Sequence, residues 1–176
     1  IELMGGENIV VKNCQLGAQP TGITCKVQEV NKLSFINNQV YPDGRENLVL
    51  DACNNCVIEG NNFKSYYNGI LVLNGNDNTV NKNIFWLTGA VQNQLLDHGD
   101  DFGIINVKGN NNMVTSNSLS CEWAYAGAVT VNAVQGTGNV FKNCFVDNLE
   151  SYRVFLVNAQ TEVSNCVSSD KVSIVE

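Results

Sequence analysis

Apolar and polar residues alternate along this chain in runs of four to six positions, the period of a half-buried strand, and no sustained helical spacing interrupts them. One phrase recurs: an apolar position, three variable ones, Asn, one more variable position, and a second apolar residue. It runs Val57 to Asn61 to Phe63, Thr79 to Asn83 to Phe85, and Met113 to Asn117 to Leu119. Later copies read Asn139 to Asn143 to Phe145 and Thr161 to Asn165 to Val167; earlier ones run Asn38 to Val40, and Cys14 to Leu16 with Cys in the Asn place. The anchors at 14, 38, 61, 83, 117, 143 and 165 are spaced by 24, 23, 22, 34, 26 and 22 residues. A second alternating phrase follows eight to ten residues later, as in Gly69-Ile70-Leu71-Val72-Leu73, Gly103-Ile104-Ile105-Asn106-Val107 and Gly127-Ala128-Val129-Thr130-Val131. Turns rich in Gly and Asn separate the phrases, for example Asn74 to Asn78.

Short strands at a near-constant period with no helix between them predict an all-β fold. The expected architecture is a right-handed parallel β-helix, a single-stranded solenoid of about seven coils of 22 to 26 residues that fills positions 1–176. The apolar positions should line the interior, with Phe63, Phe85, Leu119 and Phe145 in one stack. The recurrent Asn should form a ladder in which each amide bonds the next coil. Leucine-rich repeats share the period, but their signature is missing. Ile1-Glu2-Leu3 already reads as strand with no start signal, so the domain is expected to be truncated on its N-terminal side.

The spacing of 34 exceeds the norm, and the excess falls in residues 86–101, an inserted loop carrying Trp86, His98 and three Asp. Insertions in solenoids map to surface loops, often on the binding face. This one is either a wall of a site or a subunit contact, which Trp86 and Leu95-Leu96 suit equally.

Composition narrows the chemistry. A formal charge of −7 with no Lys/Arg cluster argues against nucleic acid as a partner. No apolar run is long enough to span a membrane. The 28 Asn and only two Pro favour tight turns, because Asn tolerates the left-handed conformation. Of seven Cys, Cys14, Cys144 and Cys166 sit inside the repeat, where a small buried hydrophobe fits. Cys53 and Cys56 form one C-x-x-C with no second pair, so a zinc site lacks ligands and no metal or cofactor is called for. Structural thiols are the simplest reading, with disulfide or redox roles open; localisation, secreted or cytoplasmic, is open too. Asn, Asp, Glu, Trp and Tyr on an acidic surface suit neutral sugars. Candidate carboxylates are Glu2, Glu7, Glu29, Asp43, Glu46, Asp51, Glu59, Asp97, Asp100, Asp101 and Glu122. Partners on neighbouring coils lie about one period apart, as do most unrelated residues, so spacing alone selects no pair.

Several segments, in order, resemble the C-terminal two-thirds of the inulin fructotransferases and the related difructose-anhydride hydrolases. Ile1-Glu2-Leu3-Met4-Gly5-Gly6 resembles the family's Val-Glu-Leu-x-Gly segment, and Asn37 to Gly44 is similar to its Gly-Asn-Asn-x-Val-Phe-Pro-Arg-Gly. Phe63 to Gly69 resembles Phe-His-Ser-Phe-Tyr-Pro-Gly, and Asp101 to Asn112 resembles the coil after the family's long loop. Asp43 stands where the family has Arg, and Asn68 replaces Pro.

The resemblance implies a trimeric right-handed β-helix acting on fructans at sites between subunits. The reaction is either intramolecular fructosyl transfer (a lyase type) that releases difructose anhydride, or glycoside hydrolysis of that product. Two acidic residues carry it. The Glu corresponds to Glu2, and the Asp would lie upstream of Ile1. The implied partner is an oligo- or polysaccharide in a homotrimer. Three alternatives stay open: Glu2 as an ordinary strand residue at a truncated end, a non-catalytic scaffold or sugar-binding surface protein, and a lyase or epimerase using a basic residue and calcium. Scarce aligned basic residues disfavour the last.

Overall fold

The computed structural model describes residues 1–17, 22–41, 46–66, 69–88, 101–121, 129–147, 153–166 and 172–175. All its regular structure is β, in three parallel sheets. Strands are labelled in chain order. The first sheet contains β1 (Glu2–Glu7), β4 (Cys25–Asn31), β7 (Leu48–Asp51), β10 (Leu71–Asn74), β13 (Ile105–Val107), β16 (Val129–Ala133), β19 (Arg153–Asn158) and β21 (Val172–Val175). The second contains β2 (Val10–Lys12), β5 (Ser34–Ile36), β8 (Val57–Glu59), β11 (Thr79–Asn81), β14 (Met113–Thr115), β17 (Val140–Lys142) and β20 (Glu162–Ser164). The third contains β3 (Gln15–Leu16), β6 (Gln39–Val40), β9 (Asn62–Ser65), β12 (Ile84–Leu87), β15 (Ser118–Cys121) and β18 (Phe145–Asp147). The chain visits the sheets in rotation, and every strand pairs with its equivalent one coil away, the topology of a parallel β-helix.

The corners explain the Asn content. Between the first and second sheets the recurrent residue with positive φ is Asn8, Lys32, Asn55, Asp77, Asn111 or Gly138, with Ala52 and Gly136 adding a second in two of the coils. Between the second and third it turns on Asn13, Asn37, Gly60, Lys82, Ser116, Asn143 or Asn165. Asn, Asp and Gly reach the left-handed region at least cost, so they dominate these columns. The connection from the third sheet back to the first is longer and uneven. The spacing of 34 arises there, between Leu87 and Ile105.

Inside the second corner stands the anchor ladder. Asn38 Nδ2 donates to Asn61 Oδ1 (3.0 Å), Asn61 to Asn83 (2.9 Å), and Asn83 to Asn117 (3.0 Å). Each second amide hydrogen goes to a backbone carbonyl, as from Asn61 to Phe35 O (2.8 Å) and from Asn83 to Ile58 O (2.9 Å). All four side chains are buried, and these bonds satisfy both ends of the amide in Asn61 and Asn83. A second ladder, not anticipated, stands inside the first corner: Asn78, Asn112 and Asn139, linked at 3.0 and 3.1 Å, with Cys56 N–H donating to Asn78 Oδ1.

The expected ladder needs a one-residue correction in its last two copies. Cys144 and Cys166, not Asn143 and Asn165, continue it: Ser118 pairs with Phe145, which sets Asn117 opposite Cys144, and Cys144 N–H donates to Cys166 Sγ (3.4 Å). Asn143 and Asn165 are the left-handed corner residues just before. Side chains alternate sides along a strand, so that slip turns Phe145 outward, half exposed, and Val146 takes the interior place. Phe63, Phe85 and Leu119 do stack inside, with the Phe63 and Phe85 rings parallel and 5.0 Å apart. The apolar residue that opens the phrase also faces out. Met113 is exposed and Val57 half-buried, while Ile58 and Val114 after them fill the core. Val167 lies outside the described residues.

The thiols sit where amides could. Cys144 Sγ donates to Val114 O and Cys56 Sγ to Val30 O, the same kind of cross-coil carbonyl the Asn amides use. Burial pushes the Cys25 and Cys56 thiols up from 9.0 to about 11. The Cys144 thiol is raised too, first by its hydrogen bond with Cys166 and then by burial.

Two outcomes follow. Asn83→Ala leaves the Asn61 amide without an acceptor and the Ile58 carbonyl without its donor, both buried; urea unfolding should show a loss of about 3–5 kcal/mol, against about 1 kcal/mol for Asn143→Ala at an exposed corner. In the unfolded chain Cys25 and Cys56 lose protons near pH 9, while the folded protein retains them to about 11. The stability contributed by these two thiols is therefore fully present below pH 9 and falls between pH 9 and about 11; urea midpoints across that range should drop, and Cys25→Ala should flatten the drop.

Candidate functional site

The outer face of the first sheet carries the candidate chemistry. Parallel pairing places Glu2, Lys26, Val49, Val72, Asn106 and Asn132 in one outward column. Met4, Gln28, Asp51 and Asn74 form the next column. Lys108, whose N–H donates to Leu73 O, comes after Val107 on the coil beyond Asn74. Asp51 accepts from the side chains on both sides of it, Gln28 Nε2 at 3.2 Å and Asn74 Nδ2 at 2.7 Å. The result is a polar row parallel to the solenoid axis.

Glu2 is exposed at the start of β1, opposite Lys26. The remaining carboxylates scatter. Glu7 accepts from Asn31 Nδ2 (2.9 Å) and lies 3.4 Å from Lys32 Nζ, while Glu59 lies 3.6 Å from Lys82 Nζ. Glu29 is an exposed left-handed residue. Asp43, Asp97, Asp100 and Glu122 lie outside the described residues, as does His98. Trp86 belongs to β12, on the outer side of the third sheet, with Lys64 Nζ 4.2 Å from its ring centre. Residues 89–100 of the inserted loop lie outside the described residues.

Where the chain re-enters the first sheet it builds a cleft of about 180 Å³, lined by Asp101, Phe102, Asn106, Lys108, Asn132 and Gln135 among others. Its walls are tied down. Asn106 is buried and clamps the turn before it, accepting from Gly103 N–H (2.9 Å) and donating to Gly103 O (2.8 Å). Asn132 Nδ2 donates to Asp101 O at 2.7 Å from the neighbouring coil. Gly69 underlies Phe102: a Cβ there would meet the ring at 2.6 Å, and its φ is +75°. Lys108 and Gln135 make no side-chain hydrogen bond or ion pair among the described residues. The cleft and Glu2 are not brought together. Four strand spacings separate Glu2 from Asn106, roughly 19 Å.

Sequence reasoning passed over Lys108, Asn132 and Gln135, which lie on two different coils and meet only once register is known. The one available signal was the inserted segment ending at Asp101, immediately before the cleft. Among the described residues no three His, Cys, Asp or Glu side chains converge to hold a metal ion, and no helix is long and apolar enough to cross a membrane.

Comparison with known proteins returns one family model, described as periplasmic copper-binding protein (NosD), which matches residues 1–165. No curated protein matches the chain. Among solved structures, it is similar to DFA-IIIase from Arthrobacter chlorophenolicus A6 in complex with GF2, with a TM-score of 0.81 and 20% identity over 99% of this chain and 49% of that one. The same enzyme without its lid gives 0.83 and 24% identity, over 99% and 46%. Its C387A mutant in complex with DFA-III gives 0.79 and 20%, over 98% and 48%. The chain thus spans about half the length of these structures, and at this identity the likeness establishes the fold.

The packing of Phe102 over Gly69 sets the cleft wall. Gly69→Ala should cost about 1–3 kcal/mol in urea unfolding, from the left-handed φ and the blocked ring, and in amide NMR spectra should shift Phe102 and Gly103 while leaving the Asn61–Asn83 ladder signals in place.

Proposed function

This chain belongs to the family described as periplasmic copper-binding protein (NosD), and we propose that its β-helix serves a carbohydrate-processing protein of the inulin fructotransferase and difructose-anhydride hydrolase type. The observation that carries this reading is the match of nearly the whole chain to DFA-IIIase structures in complex with GF2 and with DFA-III. The ordered motifs from Ile1 to Asn112 support it.

Glu2 is the proposed proton carrier. Its carboxyl group protonates the departing glycosidic oxygen as the bond to the anomeric carbon breaks. A hydroxyl of the adjoining fructosyl unit, or water, forms the new bond and gives its proton to a carboxylate. The second acid would come from an Asp upstream of Ile1. An exposed Glu2 needs a covering surface to exclude water, which a neighbouring subunit of a homotrimer would supply.

The family description names copper, and the described residues do not fit that ion. Copper takes soft thiolate, thioether or imidazole donors, and the two methionines, Met4 and Met113, are exposed on different sheets. Here Cys25, Cys53 and Cys56 are buried in the core with their protonated forms favoured by burial, and no third donor joins any pair.

A second reading, a sugar-binding scaffold without turnover, is favoured by one observation: the cleft is assembled without Glu2 and well away from it. Incubating the full-length protein with inulin and with difructose anhydride III separates the two. Conversion of either, reduced about 10²-fold or more by Glu2→Gln, is the expected result. A folded trimer that turns over neither substrate rejects the enzyme and leaves the scaffold.

A further inference from the structure

We infer that the cleft between Asp101–Phe102 and the Lys108 and Gln135 side chains is an accessory subsite for one neutral sugar residue of an oligosaccharide, distinct from the chemistry proposed at Glu2. This rests on the carbohydrate reading above and deepens it.

The groups at the cleft select the ligand. Lys108 and Gln135 line it with hydrogen-bonding capacity that no described residue uses, and Gln135 offers both a donor and an acceptor. A sugar hydroxyl is donor and acceptor at once, so it matches such a set. Phe102 adds an apolar surface for the C–H face of a ring. An anionic ligand is disfavoured, because the Asp101 carboxylate shares the cleft with its single cation and the chain carries a net charge of −7. A peptide strand is disfavoured as well, since β10, β13 and β16 at the cleft are already paired on both sides. The space of about 180 Å³ is on the scale of a single monosaccharide unit.

The site is also preorganised. Asn106 holds the Gly103 turn from both ends, and Asn132 holds the Asp101 carbonyl, so little ordering remains to be done on binding. Gln28, Asp51 and Asn74 line the path from the Glu2 coil to Lys108 with hydrogen-bonding groups. An oligosaccharide following that row would lie along the solenoid axis, one residue seated in the cleft.

Titrating the isotope-labelled full-length protein with a short neutral fructo-oligosaccharide tests this, alongside calorimetry on the Lys108→Ala, Gln135→Ala double variant. The expected result is movement of the Gln135 and Asn132 side-chain amide signals in the unaltered protein, with binding roughly tenfold weaker in the double variant. Glu2→Gln should leave those shifts in place. If the protein binds the sugar while these amides stay still and the double variant binds equally well, the cleft assignment is overturned and the carbohydrate reading survives. Tighter binding of an acidic glycan than of the neutral one overturns the neutral-sugar assignment. No binding of any sugar overturns both.

Discussion

The buried carboxamide column at the second corner fixes this fold. A parallel solenoid could in principle slide coil against coil, because its backbone hydrogen bonds are the same at every register. The column removes that freedom. Asn61 both accepts from Asn38 and donates to Asn83, and its second amide hydrogen is spent on Phe35 O, so a one-residue slip strands several buried polar groups at once. Hydrophobic contacts between Phe35, Phe63 and Phe85 reward the same register without being able to specify it as sharply. Once the register is set, every outward column is set with it, and the face that carries Glu2, Asp51, Lys108 and Asn132 becomes a surface of defined spacing.

How far this was legible in the sequence varied with the kind of signal. Asn38, Asn61, Asn83 and Asn117 recur at nearly constant spacing with an apolar residue two places on, and both ladder and core followed from that. The last copies misled because corner and anchor are adjacent. In Lys82-Asn83 only one of the pair is Asn, whereas in Asn143-Cys144 and Asn165-Cys166 the Asn is the corner and the anchor is a thiol. A rule that follows Asn then moves one residue, and Phe145 goes to the wrong side. The ladder of Asn78, Asn112 and Asn139 was hidden for a related reason: its column is shared by Ile9, Leu33 and Cys56, which carry no amide.

The candidate site was the least legible part, and its geometry shows why. Its groups come from different coils and meet by pairing across strands, so no short motif contains them. Asp101 and Lys108 are seven residues apart, while Asn132 and Gln135 come from the next coil. Glu2 was identified by resemblance to a family motif, a signal that says nothing about the cleft four coils away. The family description adds copper, yet the described thiols answer to a different demand. They fill ladder and core places and donate to carbonyls, the work of a side chain in a packed interior.

That exchange of thiol for amide has an energetic consequence along the axis. A solenoid's stability is close to a sum over neighbouring coils, so each interface can be weighed by its own bonds. From Asn38 to Asn117 the interfaces carry amide bonds of 2.9 to 3.0 Å, charge-neutral but well directed. At Cys144 and Cys166 the same places hold sulfur contacts: Cys144 N–H donates to Cys166 Sγ at 3.4 Å and Cys144 Sγ donates to Val114 O at 3.5 Å, and sulfur is the weaker donor and acceptor. Cysteine recovers part of the loss, because it packs as a small hydrophobe and leaves no second amide hydrogen to satisfy. The coils between Asn38 and Asn117, which carry the whole row from Gln28 to Lys108, therefore form the stiff segment of the solenoid. Asn112 still bonds Asn139 across the next interface at 3.1 Å, so the interface beyond it, where Cys144 meets Cys166, is the one that should open first in local unfolding.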